Sequence, residues 1–346
     1  MMIDDNDLML NALHCKNKGR APIWIMRQAG RYMPEYRAMR AKYSFVEMCH
    51  QPELAVQVTQ LPINAFGMDA AILFSDILVI AEALGVGLRF EEKIGPIIER
   101  PLSSEKDVDA LPKIDVNEKL HYVADAIKLL RLKLKVPLLG FCGAPFTVAS
   151  YMIEGGSSRD LKKTKQWMLR EPASFHRLLK KIADCTIAYL QMQIAAGVQA
   201  VQIFDSWAYF LGHSQFREFS LSYLKAIVDT VRPKQIPVIL FCRGSSVFAS
   251  QLSEVTPAGI SLDWQTDITA MRKSVPANIA LQGNLDPDVL YADASTIRKE
   301  TQHILLGMKG DPGFIFNLGH GIHPDTPVDA VKTLVECVKC FIPASS

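Results

Sequence analysis

Eight short apolar runs recur along the chain, each ending in glycine or polar residues, and they limit its fold more than any other feature. They lie at 23–26, 70–74, 136–142, 200–204, 238–242, 259–262, 279–282 and 314–318. The runs are near-continuous rather than alternating, as expected of parallel strands covered on both faces. Helical patterns separate most of them. Residues 52–66 read as a helix stopped by Gly67, and 172–196 as one stopped by Gly197. Residues 214–231 form a third, closed by Pro233, and 326–340 a last, with Thr326 as N-cap and Pro327 in the first turn. No linker or low-complexity block divides the chain. The pattern predicts an α/β fold, a single (β/α)8 TIM barrel over residues 1–346. A doubly wound open sheet is the alternative, but its usual glycine-rich phosphate loop is missing. The interval between the fifth and seventh runs is short, which leaves one of those strands open.

Composition removes several functions. The chain has 346 residues, 49% of them hydrophobic, enough for a large core. Its net charge of +2 offers no global field for nucleic acid or an anionic membrane. The start, MMIDDNDLML, is acidic and lacks the basic region of a signal peptide. The most apolar stretch, 70–84, is broken by Ser75, Asp76 and Glu82, so no membrane span is expected. Seven scattered cysteines suggest reduced thiols and a cytoplasmic protein.

In a barrel the site lies at the C-terminal strand ends. The first end carries Arg27 and Arg31 in IWIMRQAGRYMPEYRAMR, with Arg37 and Arg40 beyond. Guanidinium groups present a flat fork of donors that suits carboxylates or phosphates, so a small polyanion is expected. The second end offers Ser75 and Asp76, the third Phe141, Gly143 and Pro145 with Tyr151 further on. The fourth offers Asp205, Ser206 and Trp207, and later ends Arg243, Asp263, Asn284 and His320. Each has a bland reading. Asp76 could cap the following helix, at even odds, and for Asp205 a cap is favoured. Tyr151 could be core, and Arg37 and Arg40 a solvated helix face. His320 rises above the usual structural histidine because glycines flank it. Arg27 and Arg31 have the weakest bland reading, since charges after a buried strand need a partner.

Other chemistries fit poorly. His320 and His323 lack a matching cysteine or carboxylate set for a metal. Cys337 and Cys340 form C-x-x-C inside a helix, with one face in the core, rather than at a helix start after a strand. The stretch 154–158, EGGSS, reads as a flexible lid, and no G-x-S-x-G elbow is present.

The segments PIWIMRQAGRYMPEYR, DAAILFSDIL, GFCGAPFTVASYMIEGGSS, FDSWA, GNLDP and FNLGHGIHPDTP together resemble the uroporphyrinogen decarboxylase family, in its order, over residues 22–327. The resemblance implies a single-domain barrel, a cytoplasmic homodimer, and no metal or organic cofactor. It implies decarboxylation of the four acetate side chains of uroporphyrinogen III to methyls, giving coproporphyrinogen III. By motif, Arg27, Gln28, Ala29, Gly30 and Arg31 would form the substrate loop, and Asp76 the central carboxylate. Tyr151, Ser206 and His320 would line the cleft, Phe141 would meet the macrocycle, and Arg40 would lie on the substrate side. Asp76, Arg27, Tyr151 and His320 are the catalytic expectations, with Tyr151 and His320 as proton donors by chemistry.

The chain departs from the family pattern at Tyr209–Gly212, which is bulkier, at His323, usually apolar, and at LPINAF before Gly67. Two rival functions remain. A corrinoid methyltransferase of the same superfamily would need a zinc set such as H-x-C, which is absent from the sequence, and a zinc assay would identify it. A non-catalytic tetrapyrrole carrier would need the arginines alone, and would bind uroporphyrinogen without removing carboxylates.

Overall fold

The structure is a computed structural model that describes residues 7–91 and 94–341. Part of the acidic start and the end of the 1–346 span lie outside the described residues. In chain order, β1 (Ala71–Ile72) is followed by a hairpin, β2 (Leu88–Glu91) and β3 (Gly95–Ile98), which pairs with itself. Then come β4 (Leu138–Gly143), β5 (Ala200–Asp205), β6 (Val238–Cys242), β7 (Gly259–Ser261), β8 (Ala280–Leu285) and β9 (Phe314–Leu318). One parallel sheet of seven strands runs β1-β4-β5-β6-β7-β8-β9. The crowded fifth to seventh runs are all strands, because the helices between them, Ser245–Glu254 and Ile268–Ser274, are short.

The eighth predicted strand, 23–26, is not a regular strand. Ile23 bridges Phe316, and the Phe316 N–H donates to Pro22 O (2.9 Å). On the other side the Asp69 N–H donates to Ile23 O (2.8 Å). Beyond Trp24, however, the backbone donors turn to side chains: Ile25 to Gln28 Oε1 and Met26 to Asn317 Oδ1. That diversion ends the ladder. The second run is cut short in the same way, since the Phe74 N–H donates to Thr59 Oγ1 (2.9 Å).

The sheet curls around a small inner core of Trp24, Met26, Leu139, Ala200, Ile239, Phe241, Ala280 and Ile315. Helix Leu8–Leu13 adds Met9, Leu10 and Leu13 to it beside the first residues of β5 and β8, Ala200 and Ala280. The strand starts are thereby plugged, and the cleft forms at the other end. Inside the core, Trp24 Nε1 donates to Gln282 Oε1 (2.9 Å), and Gln282 Nε2 donates to Gln202 Oε1 and Ser261 Oγ. These buried polar groups are paired, as the low-dielectric interior demands. The larger core lies between the sheet and the outer helices.

Helices Pro52–Phe66 and Pro172–Ala196 stop at Gly67 and Gly197, both left-handed, with φ of 67° and 116°. The predicted 214–231 helix begins at His213 and contains a wider i→i+5 turn at Arg217–Leu221. The last helix is Val328–Lys339, capped by Pro327 rather than Thr326. The Thr326 N–H closes a turn onto His323 O. EGGSS is not a free lid: Gly155 O accepts from Ile98 N–H (2.9 Å) and Gly156 bridges Ile97. No helix among the described residues is long and apolar enough to cross a membrane.

Candidate active site

A cleft of about 850 Å³ opens at the C-terminal ends of the strands. That volume lies within the range of small-molecule sites. Its floor is apolar. Phe141 on β4, Phe204 on β5 and Phe241 on β6 stand side by side, with ring centroids 5.7 Å apart in each step. Phe241 continues to His320, 6.1 Å away. Phe141 is fixed from behind: Gln193 of helix Pro172–Ala196 donates to Phe141 O (2.9 Å) and accepts from its N–H (3.0 Å).

One side of the cleft is basic. Arg27, Arg31, Arg37 and Arg40 all lie on its wall. Arg27 has a left-handed backbone, φ 62°, and no hydrogen bond or ion pair holds its exposed guanidinium among the described residues. Gly321 makes room for it, because a Cβ there would lie 2.5 Å from Arg27 Cδ. The Ala29, Gly30 and Arg31 amide N–H groups likewise have no partner among the described residues. Gln28 lines the wall, yet its side chain is spent on Ile25 N–H and Ala70 O. Arg37 departs from the solvated reading: it donates to Arg31 O (2.8 Å) and Tyr32 O (2.9 Å) and so braces the loop. Arg40 donates to Tyr43 O (2.7 Å).

Asp76 faces the same cleft. It does not cap a helix; its Oδ1 accepts the Leu78 N–H (2.8 Å) in a tight turn, one residue before helix Val79–Ala83. Burial raises its pKa to about 6, against the pull of that hydrogen bond and of Arg27, while Glu82 pushes it further up. Burial lowers His320 to about 4, helped by Arg27 and Arg243, so its imidazole is neutral near pH 7. Ser206 also lines the cleft. Tyr151 is not on the lining. Its ring packs edge-on to Trp207 at 5.1 Å, and burial raises its pKa against hydrogen bonds from Trp207 and Ser157.

Three other strand-end residues are structural. Asp205 is not a cap: it is buried, and Thr147 and Ser220 donate their hydroxyls to it at 2.6 and 2.5 Å. Asp263 accepts from the Gly244 N–H (2.7 Å), and Asn284 donates to Asp263 O and Thr266 O. The atypical positions find neighbours. Tyr209 lies under Arg243, 4.8 Å from its ring centre, and His323 pairs with Asp288 at 3.0 Å. Among the described residues no group of three or more His, Cys, Asp or Glu could hold a metal ion.

The hairpin wall has no counterpart in the sequence reading. Phe90, Glu91, Ile94 and Gly95 face the cleft, and Phe90 packs on Phe45 at 4.6 Å. Two short runs, LRFE and GPII, close together and ending near glycine, carry the hairpin signal.

Comparison with known proteins gives three findings. The family described as uroporphyrinogen decarboxylase matches residues 4–341. Proteins named uroporphyrinogen decarboxylase from Protochlamydia amoebophila and Alkalilimnicola ehrlichii are 59% and 46% identical, covering 96% and 99% of this chain and 92% and 96% of theirs. A methyltransferase structure from Methanosarcina mazei superposes with a TM-score of 0.82 at 21% identity, covering 98% of this chain and 99% of that one, a likeness of fold alone.

Proposed function

This chain belongs to the uroporphyrinogen decarboxylase family, and on that premise we propose that Asp76 is the central carboxylate of its reaction. The chain decarboxylates uroporphyrinogen in porphyrin and haem biosynthesis. In our reading the substrate is uroporphyrinogen III, and its four acetates become the methyls of coproporphyrinogen III. The observation that carries it is a half-buried carboxylate facing a cleft whose rim bears four arginines. The macrocycle has the matching layout, with carboxylates outside and pyrrole N–H donors inside. Charged hydrogen bonds at the rim contribute roughly 1.5–3 kcal/mol each. The phenylalanine floor suits the apolar face of the ring.

Losing carbon dioxide from an acetate requires an electron sink. A pyrrole protonated on a ring carbon is that sink, so the reading includes no metal or organic cofactor. Asp76, as carboxylate, stabilises the cation that develops, and an aligned arginine holds the departing group. Arg27, with its free guanidinium, fits that task. Arg31, Arg40, the Ala29 and Gly30 amides, Ser206 and Phe141 bind the substrate. Gln28 acts by holding the loop. His320, neutral, donates or accepts a hydrogen bond at the rim, and Tyr151 acts from behind the wall beside Trp207.

We also read residues 22–26 as the eighth strand of a closed (β/α)8 barrel, one domain over 1–346, on the strength of the bonds from Asp69 and Phe316. A cytoplasmic homodimer belongs to the same reading and rests on the family resemblance. The test is Asp76→Ala assayed anaerobically with uroporphyrinogen. Turnover is expected to fall by about 10²-fold or more with the fold intact. Near-normal activity would remove Asp76 from the mechanism.

A further inference from the structure

Each decarboxylation consumes a proton. A ring carbon takes a proton, the CH2–COO⁻ bond breaks, carbon dioxide leaves and the bond's electron pair neutralises the cationic ring as an exocyclic methylene. That carbon then takes a proton to become the methyl and the ring carbon releases the first, a net uptake of one proton. A macrocycle seated over Asp76 covers the open side of the cleft, so protons need another entrance.

Behind Asp76 lies a second, small cavity of about 10 Å³. It shares Asp76 with the cleft and is lined further by Cys49, His50, Val79 and Glu82. That space is close to the minimum for one water molecule. On its outer side His50 Nε2 lies 3.2 Å from Glu82 Oε2, and each side chain is 33% exposed. The pair therefore touches solvent and the cavity at once. The His50 ring packs on Tyr122 at 4.5 Å, and the Tyr122 hydroxyl, with the residue 8% exposed, is buried without a hydrogen-bond partner among the described residues. Cys49 is buried in the core on this face, and burial keeps its thiol protonated.

We propose that His50 and Glu82 pass solvent protons across this one-water cavity to Asp76, restoring the proton that each turnover leaves on the substrate. The proposal rests on the decarboxylase reading and deepens it. Asp76 gives the ring carbon its proton, stands as the carboxylate opposite the cationic ring, is reprotonated from behind after carbon dioxide has left, passes that proton to the methylene carbon and takes back the one the ring releases. Among the cleft groups it is suited to alternate between the two forms, since burial holds it between a free carboxylate and a permanent acid. His320 is deprotonated near neutrality and Tyr151 holds its proton tightly.

The experiment compares wild type, Glu82→Gln and Val79→Ile with uroporphyrinogen in H2O and D2O. Val79→Ile fills the cavity without replacing a titratable group. Both variants are expected to lose about tenfold in kcat with KM unchanged, and to show a larger solvent isotope effect. Formate or imidazole in solution should restore part of the rate in Glu82→Gln. Folded variants with wild-type kcat would overturn the route. So would a loss of rate without an isotope effect or rescue, which marks a structural role. An inactive wild type would instead overturn the decarboxylase reading.

Discussion

At the scale of single residues, two aspartates at strand ends, Asp76 half-buried after β1 and Asp205 buried at the end of β5, have been given different work by their partners. Both are raised to about 6 by burial. Asp76 faces the cleft with one backbone donor, whereas Asp205 is sealed behind Thr147 and Ser220. Asp205 therefore reports on stability. Its ordinary value is 3.8, so the folded state binds the proton more tightly and stability falls as pH rises from about 4 to 6. The loss amounts to about 3 kcal/mol, at roughly 1.4 kcal/mol per pH unit. Urea unfolding at pH 4 and pH 7 checks this: relative to wild type, Asp205→Asn should gain about that much between the two. An identical pH dependence in both proteins would show that Asp205 does not carry the effect.

At the scale of elements, segment 22–26 is held by side chains where a strand would use backbone. Asp69 accepts from the Ile23 N–H (2.8 Å) and takes a two-pronged contact from Arg20 at 2.7 Å in each arm. Because the arginine loop starts directly after this segment, its anchoring is also the anchoring of the rim. Asp69→Ala should cost about 2–3 kcal/mol through the orphaned Ile23 amide and the freed Arg20. It should also raise KM more than it lowers kcat, and hydrogen exchange at Ile23 should speed up. Unchanged exchange there would mean that Phe316 alone secures the segment. The sequence foretold the apolar run and the arginines after it. It did not foretell that Asn317 would take the Met26 donor, because that contact joins residues brought together only by folding. Gln28 takes the Ile25 donor from only three residues away, and no motif marks that turn.

At the scale of the whole molecule, the two ends of the sheet divide the labour. Helix Leu8–Leu13 closes the strand starts with apolar side chains, and the strand ends are left to polar groups. Leu13→Ala should lower unfolding stability by about 3 kcal/mol while leaving KM unchanged. A shifted KM would show that the plug and the cleft are coupled. The parallel strands, the long helices with their glycine stops, and the ring of strand-end residues were legible, because period and punctuation record them locally. The hairpin wall, the bracing role of Arg37 and the packing of Tyr151 against Trp207, off the cleft lining, were not. Each depends on which elements become neighbours, and a single strand end does not record that. The crowding at Arg27 has an evolutionary corollary. Glycine is needed at 321 because a Cβ there would crowd that arginine's Cδ where it stands. The two positions, far apart in the chain, must therefore be inherited as a pair. A lineage that acquires a side chain at 321 has to move the arginine at 27 from this position, and with it the group proposed above to hold the departing carboxylate.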